Sequence, residues 1–134
     1  MSRPFLDTNV LLYSLAASDP RQAVAVGLLT AGGTVSVQVL NEFASVAHRK
    51  MKLSWPDVAR ALSDIRALCS PVVPLTLATH DEAINLATRD GIAFYDALIV
   101  ASALGAGCDV LLTEDMQDGR VIEGRLTICN PFRM

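Results

Sequence analysis

"FYDALIVASALGAGCDVLLTEDMQDG", Phe94 to Gly119, is the stretch whose reading decides the fold. Between Tyr95 and Ala106 it carries Ala97, Leu98, Ile99, Val100, Ala101, Ala103 and Leu104, apolar on nearly every side of a helix. Such a helix is buried over most of its surface. Gly107 ends it. Val110-Leu111-Leu112 then reads as a strand that runs directly into a polar loop holding three acids, Glu114, Asp115 and Asp118. A buried helix feeding a short apolar strand is the building unit of an α/β protein.

The same alternation recurs outward from this stretch. Arg3 to Asp7 reads as a short buried strand, followed by a helical turn from Asn9 to Ala17. Asp19-Pro20 is a helix start, with Asp as cap and Pro in the first position, and Gly32-Gly33 closes that helix. Thr34 to Val37 is a second β-rich strand. From Gln38 to Lys50, Val39, Leu40, Phe43, Val46 and Ala47 fall at helical spacing. "SWPD", Ser54 to Asp57, caps a helix reaching Leu68. Pro71 to Leu75 is a strand whose two prolines suit an edge. Thr79 with Glu82 has the spacing of a capping box and opens a helix to Arg89, and Asp90-Gly91 makes the turn that follows. Leu126-Thr127-Ile128 supplies the last strand. Together these elements predict one domain over residues 1–134, an α/β sandwich around a mainly parallel sheet.

Composition narrows the chemistry. The chain is 51% hydrophobic and 19% charged, which argues against disorder, and its 5% aromatic content argues against a platform for stacking many bases. Eleven basic and fourteen acidic residues give a net charge of −3, and the only basic run is His48-Arg49-Lys50-Met51-Lys52. A polyanionic ligand would therefore need positive charge from something besides the protein, and a bound metal supplies it. Cys69, Cys108 and Cys129 form no CxxC pair, so they suggest neither a zinc site nor a disulfide framework, and small buried thiols in a reducing cytosol are expected. No signal-peptide pattern is visible, and no apolar run approaches the roughly 18 residues that span a bilayer. The expected setting is the cytoplasm.

Asp7 closes the first strand, Asp115 lies just beyond Val110-Leu112, Asp96 starts the most buried helix, and Glu42 borders the apolar stripe of Val39, Phe43 and Val46. In a parallel sheet, sites form beyond the carboxyl ends of the strands. Each acid also has a simpler role open to it. Asp7 can cap the following helix, Asp96 can answer a helix dipole, Glu42 can point to solvent, and Glu114, Asp115 and Asp118 can be a polar loop. If the four converge, their repulsion raises some pKa values unless a cation neutralises them. Oxygen ligands without His or Cys select a hard cation, Mg²⁺ or Mn²⁺. Such an ion activates water and offsets charge on a phosphodiester under attack.

"FLDTNVLLY" (Phe5–Tyr13), "NEF" (Asn41–Phe43), the stretch Phe94–Gly119 and "NPF" (Asn130–Phe132) together resemble the PIN-domain nucleases. Within that family the likeness is to the VapC type, the toxin half of bacterial toxin–antitoxin pairs, and it spans nearly the whole chain. The resemblance implies a three-layer α/β/α sandwich with a central, mainly parallel sheet. It implies Asp7, Glu42, Asp96 and Asp115 as the catalytic acids, with Asp7 and Asp96 as metal ligands. Asn9 and Thr113 match supporting polar positions, and Asp118 is a further candidate acting through a second metal or a water. Glu114, Asp115 and Asp118 all remain candidates to face the metal. The implied activity is Mg²⁺-dependent endoribonuclease cleavage of structured RNA such as tRNA or ribosomal RNA by water attack. The implied partners are a small antitoxin protein and a second copy of the chain. Arg49, Lys50, Lys52 and Arg120 are the candidate RNA-gripping cations. Two other readings stay open: a Mg²⁺-dependent phosphohydrolase with Asp7 as nucleophile, and a PIN-like domain that only binds a protein.

Overall fold

A computed structural model describes residues 3–133. In chain order the elements are β1 (Phe5–Leu6), α1 (Thr8–Tyr13), α2 (Arg21–Ala31), α3 (Val37–Arg49), α4 (Trp55–Leu68), α5 (Leu77–Asp90), α6 (Phe94–Gly105), β2 (Val110–Leu112), β3 (Val121–Ile122) and β4 (Leu126–Cys129). The sheet order is β1-β2-β4-β3; β1, β2 and β4 run parallel, and β3 is antiparallel to β4. With six helices around this sheet among the described residues, the fold is a three-layer α/β/α sandwich. The helix read from Tyr95 is α6, and every residue from Ala97 to Leu104 is buried. Phe5, Leu6, Leu111, Leu126 and Ile128 bring the strands into the same core. Fully burying each such side chain contributes about 1.5–3 kcal/mol.

Several expected boundaries shift, each for a local reason. Thr34 to Val37 is not a strand. It makes single parallel bridges, Thr34 to Phe5 and Ser36 to Val73, before the Ser36 side chain accepts the Val39 N–H (3.2 Å) and turns the chain into α3. The segment from Pro71 to Leu75 likewise contributes only the Val73 bridge, at the edge where its prolines are tolerated. The expected Thr79–Glu82 capping box is corrected to Thr76–Thr79, with Thr79 as the reciprocal partner and α5 beginning at Leu77. At α2 the N-cap is Pro20, which has no side-chain donor or acceptor. Asp19 still serves the helix start by accepting the Arg21 N–H at 2.9 Å. The helix after β1 is shorter than expected, ending at Tyr13, and β3 is an addition to the sequence reading.

Gly33 shows why the bridge beside β1 is so close. A Cβ there would lie 2.6 Å from Leu6 Cγ and 3.1 Å from the Pro4 carbonyl oxygen. Only glycine lets the chain come this close to β1, where the next residue, Thr34, donates its N–H to the Pro4 carbonyl (2.8 Å) and accepts the Leu6 N–H (2.9 Å).

Candidate active site

The parallel register pairs Leu6 with Leu112, so the residues that follow, Asp7 and Thr113, emerge side by side at the carboxyl ends of β1 and β2. The Thr113 hydroxyl donates to Asp7 Oδ2 at 2.7 Å, and the Thr8 N–H donates to Asp7 Oδ1 at 2.6 Å. Asp7 is thus the N-cap of α1, the simpler role open to it, but capping accounts for only one of its oxygens. Asn9 ties the neighbourhood together. Its amide nitrogen donates to Thr113 Oγ1 and Asp115 Oδ2, both at 3.1 Å, while its oxygen accepts the Glu114 N–H at 3.2 Å. On α3, Glu42 accepts the Thr8 hydroxyl at 3.1 Å.

Asp7, Glu42, Asp96 and Asp115 all line one cleft of about 300 Å³, with Thr8, Asn9 and Arg49 among the other wall residues. Each acid arrives on a different piece of chain: the end of β1, the middle of α3, the first turn of α6 and the loop after β2. Asp7 is 3% exposed. Burial pushes its carboxyl up to about 6, the charges of Glu42 and Asp96 add to the rise, and the bonds from Thr113 and Thr8 oppose it. Glu42 is raised by burial and by Asp96 and Asp115; Asp96 is raised by burial and by Asp115. The cleft therefore concentrates negative charge that its hydrogen bonds only partly offset.

The loop after β2 distributes its three acids differently. Asp115 faces the cleft. Glu114 turns away, accepting the Tyr13 hydroxyl and the Arg21 guanidinium (3.1 Å). Asp118 does not join the cluster: it is exposed, accepts the Asn130 N–H at 2.8 Å and pairs with Arg133 at 2.9 Å. Nor does Arg120 reach the cleft wall; its guanidinium donates to the Asp90 carbonyl at 2.7 Å. The sequence reading also left out Arg21, which bridges Asp19 and Glu114 and lies 4.0 Å from the centre of the Tyr13 ring. A sequence separation of 93 between Arg21 and Glu114 leaves no local signal for that pair.

Among the described residues, no three His, Cys, Asp or Glu side chains form a ready-made metal site. The donor chemistry still fits a hard divalent cation, because every titratable group facing the shared space, apart from Arg49, is a carboxylate. A divalent cation would neutralise the repulsion among these carboxylates.

A PIN domain family profile matches residues 5–120, which takes in all four acids of the cleft. The chain belongs to the PIN domain family. No curated protein matches it in sequence. Among solved structures, this PIN domain is similar to a chain of a toxin–antitoxin complex from Klebsiella pneumoniae, at 19% identity and a TM-score of 0.70, over 98% of this chain and 99% of that one. It is similar to a chain of DNA-bound VapBC from Salmonella typhimurium, at 19% identity and a TM-score of 0.69, over 98% and 99% of the two chains. It also resembles VapC20 of Mycobacterium tuberculosis, a sarcin-ricin loop cleaving toxin, at 21% identity and a TM-score of 0.63, over 80% and 85%. At these identities the likeness establishes the fold.

Proposed function

We propose that this PIN domain is a Mg²⁺- or Mn²⁺-dependent endoribonuclease of the VapC type, the toxin of a toxin–antitoxin pair acting in the cytoplasm. One observation carries the reading: Asp7, Glu42, Asp96 and Asp115 meet in one cleft from four separate elements. A structural role would be met by pairing each acid with a cation, as Asp19, Asp118 and Glu123 are paired with arginines. Here three of the four are raised in pKa instead.

In this reading Asp7 and Asp96 hold the metal, and Glu42 and Asp115 complete the acidic wall and orient water. When bound, the cation supplies charge neutralisation at the phosphodiester and activation of the attacking water. Asn9 and Thr113 fix the Asp7 and Asp115 carboxylates through the bonds described above. Water attacks phosphorus, the P–O3′ bond breaks, and the 3′ oxygen leaves with a proton, so the products carry 5′-phosphate and 3′-hydroxyl ends. The 2′-hydroxyl takes no part. The substrate class is structured RNA, tRNA or ribosomal RNA, a reading supported by what the Mycobacterium tuberculosis neighbour is described as cleaving. An antitoxin protein over the cleft and a homodimer are the proposed partners. The toxin–antitoxin complexes among the structural neighbours support the first.

The test is cleavage of bulk cellular RNA by purified, antitoxin-free protein, with Mg²⁺ and with chelator, beside Asp96→Asn purified identically. Discrete fragments that need metal and vanish in the variant are expected. Equal fragments from both proteins would place the activity elsewhere. An aspartyl-phosphate trapped on Asp7 would instead favour the phosphohydrolase.

A further inference from the structure

The chain is acidic overall, yet one member of its basic run, Arg49, lines the acidic cleft. Arg49 lines that cleft and also a second, open groove of about 520 Å³ whose other walls are His48, Lys52, Leu53 and Ser54. The groove and the cleft share Arg49 as a wall, at the C-terminal end of α3. Just beyond Ser54 stands Trp55, the chain's single tryptophan, with 57% of its surface exposed. Its indole stacks on the His48 imidazole, ring centres 3.9 Å apart and planes 15° from parallel. His48 is itself pinned, its Nδ1–H donating to the Leu53 carbonyl at 2.9 Å. Lys52 takes a left-handed backbone, φ 62°, in the turn that joins the two.

We propose that this groove and Trp55 receive an unpaired nucleotide of the RNA next to the scissile phosphodiester. The inference rests on the ribonuclease reading and specifies the substrate class further: the strand must be single at that point, because a base can stack on an indole only when it has left its own helix. Arg49 and Lys52 meet the phosphates that leave the cleft, and the base lies on the indole surface that His48 does not cover. The stack on His48 holds the indole in place beforehand, so little side-chain freedom is lost on binding. Helix packing alone does not call for this arrangement: the first turn of α4 is capped by Ser54, and Trp55 lies outside the buried core.

Trp55 is also the probe. An end-labelled, unstructured RNA oligonucleotide is titrated into Asp96→Asn protein, and label anisotropy and tryptophan emission are followed together. Both should change with one affinity. Trp55→Ala should weaken binding about tenfold, and Trp55→Phe should recover most of it. Lys52→Gly, which suits the left-handed backbone, should flatten the salt dependence of log K by about 0.7 for its one phosphate. In the active protein, Trp55→Ala should raise KM and leave kcat near the parent value.

Binding that leaves emission unchanged, with Trp55→Ala as tight as the parent, overturns the proposal while the ribonuclease reading stands. Equal quenching by the same sequence in a duplex overturns the claim of an unpaired base. Quenching by polyglutamate but not by RNA assigns the groove to an acidic protein segment and overturns it too. If the parent neither binds nor cleaves any RNA with Mg²⁺, both readings fall together.

Discussion

Asp7, Glu42 and Asp96 have their carboxyl pKa values raised, whereas Asp19, Asp118 and Glu123 have theirs lowered. The second group is easily explained. Arg21 bonds Asp19 and brings it down to about 2. The Asn130 N–H and Arg133 hold Asp118 low, and Arg89 and Arg125 hold Glu123 low. Every one of these acids has an arginine on it, and all lie at or near the surface. The first group has burial and one another. The difference separates acids that tie loops down from acids kept charged together at a cost, and residues kept at a cost are candidates for chemistry.

The largest effect should come from exchanging acid for amide in each group. Glu42→Gln and Asp96→Asn should each lower RNA cleavage by about 10²–10³-fold, the range typical for loss of a group that stabilises transition-state charge. Asp19→Asn should change it by less than about threefold. Initial rates on one labelled RNA decide the matter. Similar losses in both groups would mean that pairing with arginine does not distinguish them.

The next effect is a pH dependence carried by Asp7. Its folded value of about 6 exceeds the ordinary 3.8, so the metal-free folded state holds this proton more tightly than the unfolded chain does. The corresponding stability is fully present below about pH 4 and is lost as pH rises through 6, a change of about 3 kcal/mol by linkage. Denaturant unfolding in chelator at pH 4.5 and pH 7 captures about two-thirds of it. Asp7→Asn should reduce the slope to what Glu42 and Asp96, also raised, leave behind, and the slope is the quantity to compare, since an amide at position 7 faces the donors Asn9 and Thr113. Mg²⁺ should stabilise the parent more at pH 7 than at pH 4.5, because the cation favours the ionised carboxylates. A flat parent profile would remove Asp7 from the raised group.

The parts legible in the sequence were those with dense local signals. The helix α6 and strand β2 could be read from an apolar run bounded by Gly107, and Asp7, Glu42, Asp96 and Asp115 from their places at the ends or edges of apolar elements. What escaped depends on contacts distant in sequence or on competition between neighbours. Ser36 looked like part of a strand because it follows Thr34 and Val35, but its hydroxyl caps α3 and stops the strand. Thr76 and Thr79 both suit a cap; the extended backbone at Thr76 decides between them. The two residues of β3 are too few to show alternation, and they pair only because Glu123 and Gly124, both at positive φ, reverse the chain into β4. In the loop after β2 three acids looked alike, and partners far away in sequence, Arg21 and Arg133, drew off Glu114 and Asp118 and left Asp115 to the cleft.

A smaller effect tests whether the raised acids really repel. Asp96 sits in the first turn of α6, where the helix dipole favours its charge, yet burial and then Asp115 disfavour it. In chelator at pH 7, Asp96→Asn should therefore be neutral or stabilising by a few tenths of a kcal/mol, since solvent screens a partly exposed group. The same variant should lose activity, the usual exchange between a charged site and stability. A clear destabilisation would mean that the dipole outweighs burial and repulsion together.

The smallest effect concerns Glu114, which neighbours Asp115 in sequence but belongs with the arginine-paired acids. It accepts the Tyr13 hydroxyl and the Arg21 guanidinium, and Arg21 also holds Asp19 and lies over the Tyr13 ring. Glu114→Gln keeps an acceptor for Tyr13 and removes the charge facing Arg21. That pair is partly solvent-exposed, 39% and 27% for the two side chains, so the loss of stability should be small. Cleavage should stay within about threefold of the parent, because the bond from the Glu114 N–H to Asn9 belongs to the backbone and survives the change. Asn9 would still hold Asp115 at the cleft. If Glu114→Gln instead matched Asp96→Asn in lost activity, the charge of an arginine-paired acid would be contributing to the site, and the division between the two groups would fail at the residue next to the cleft.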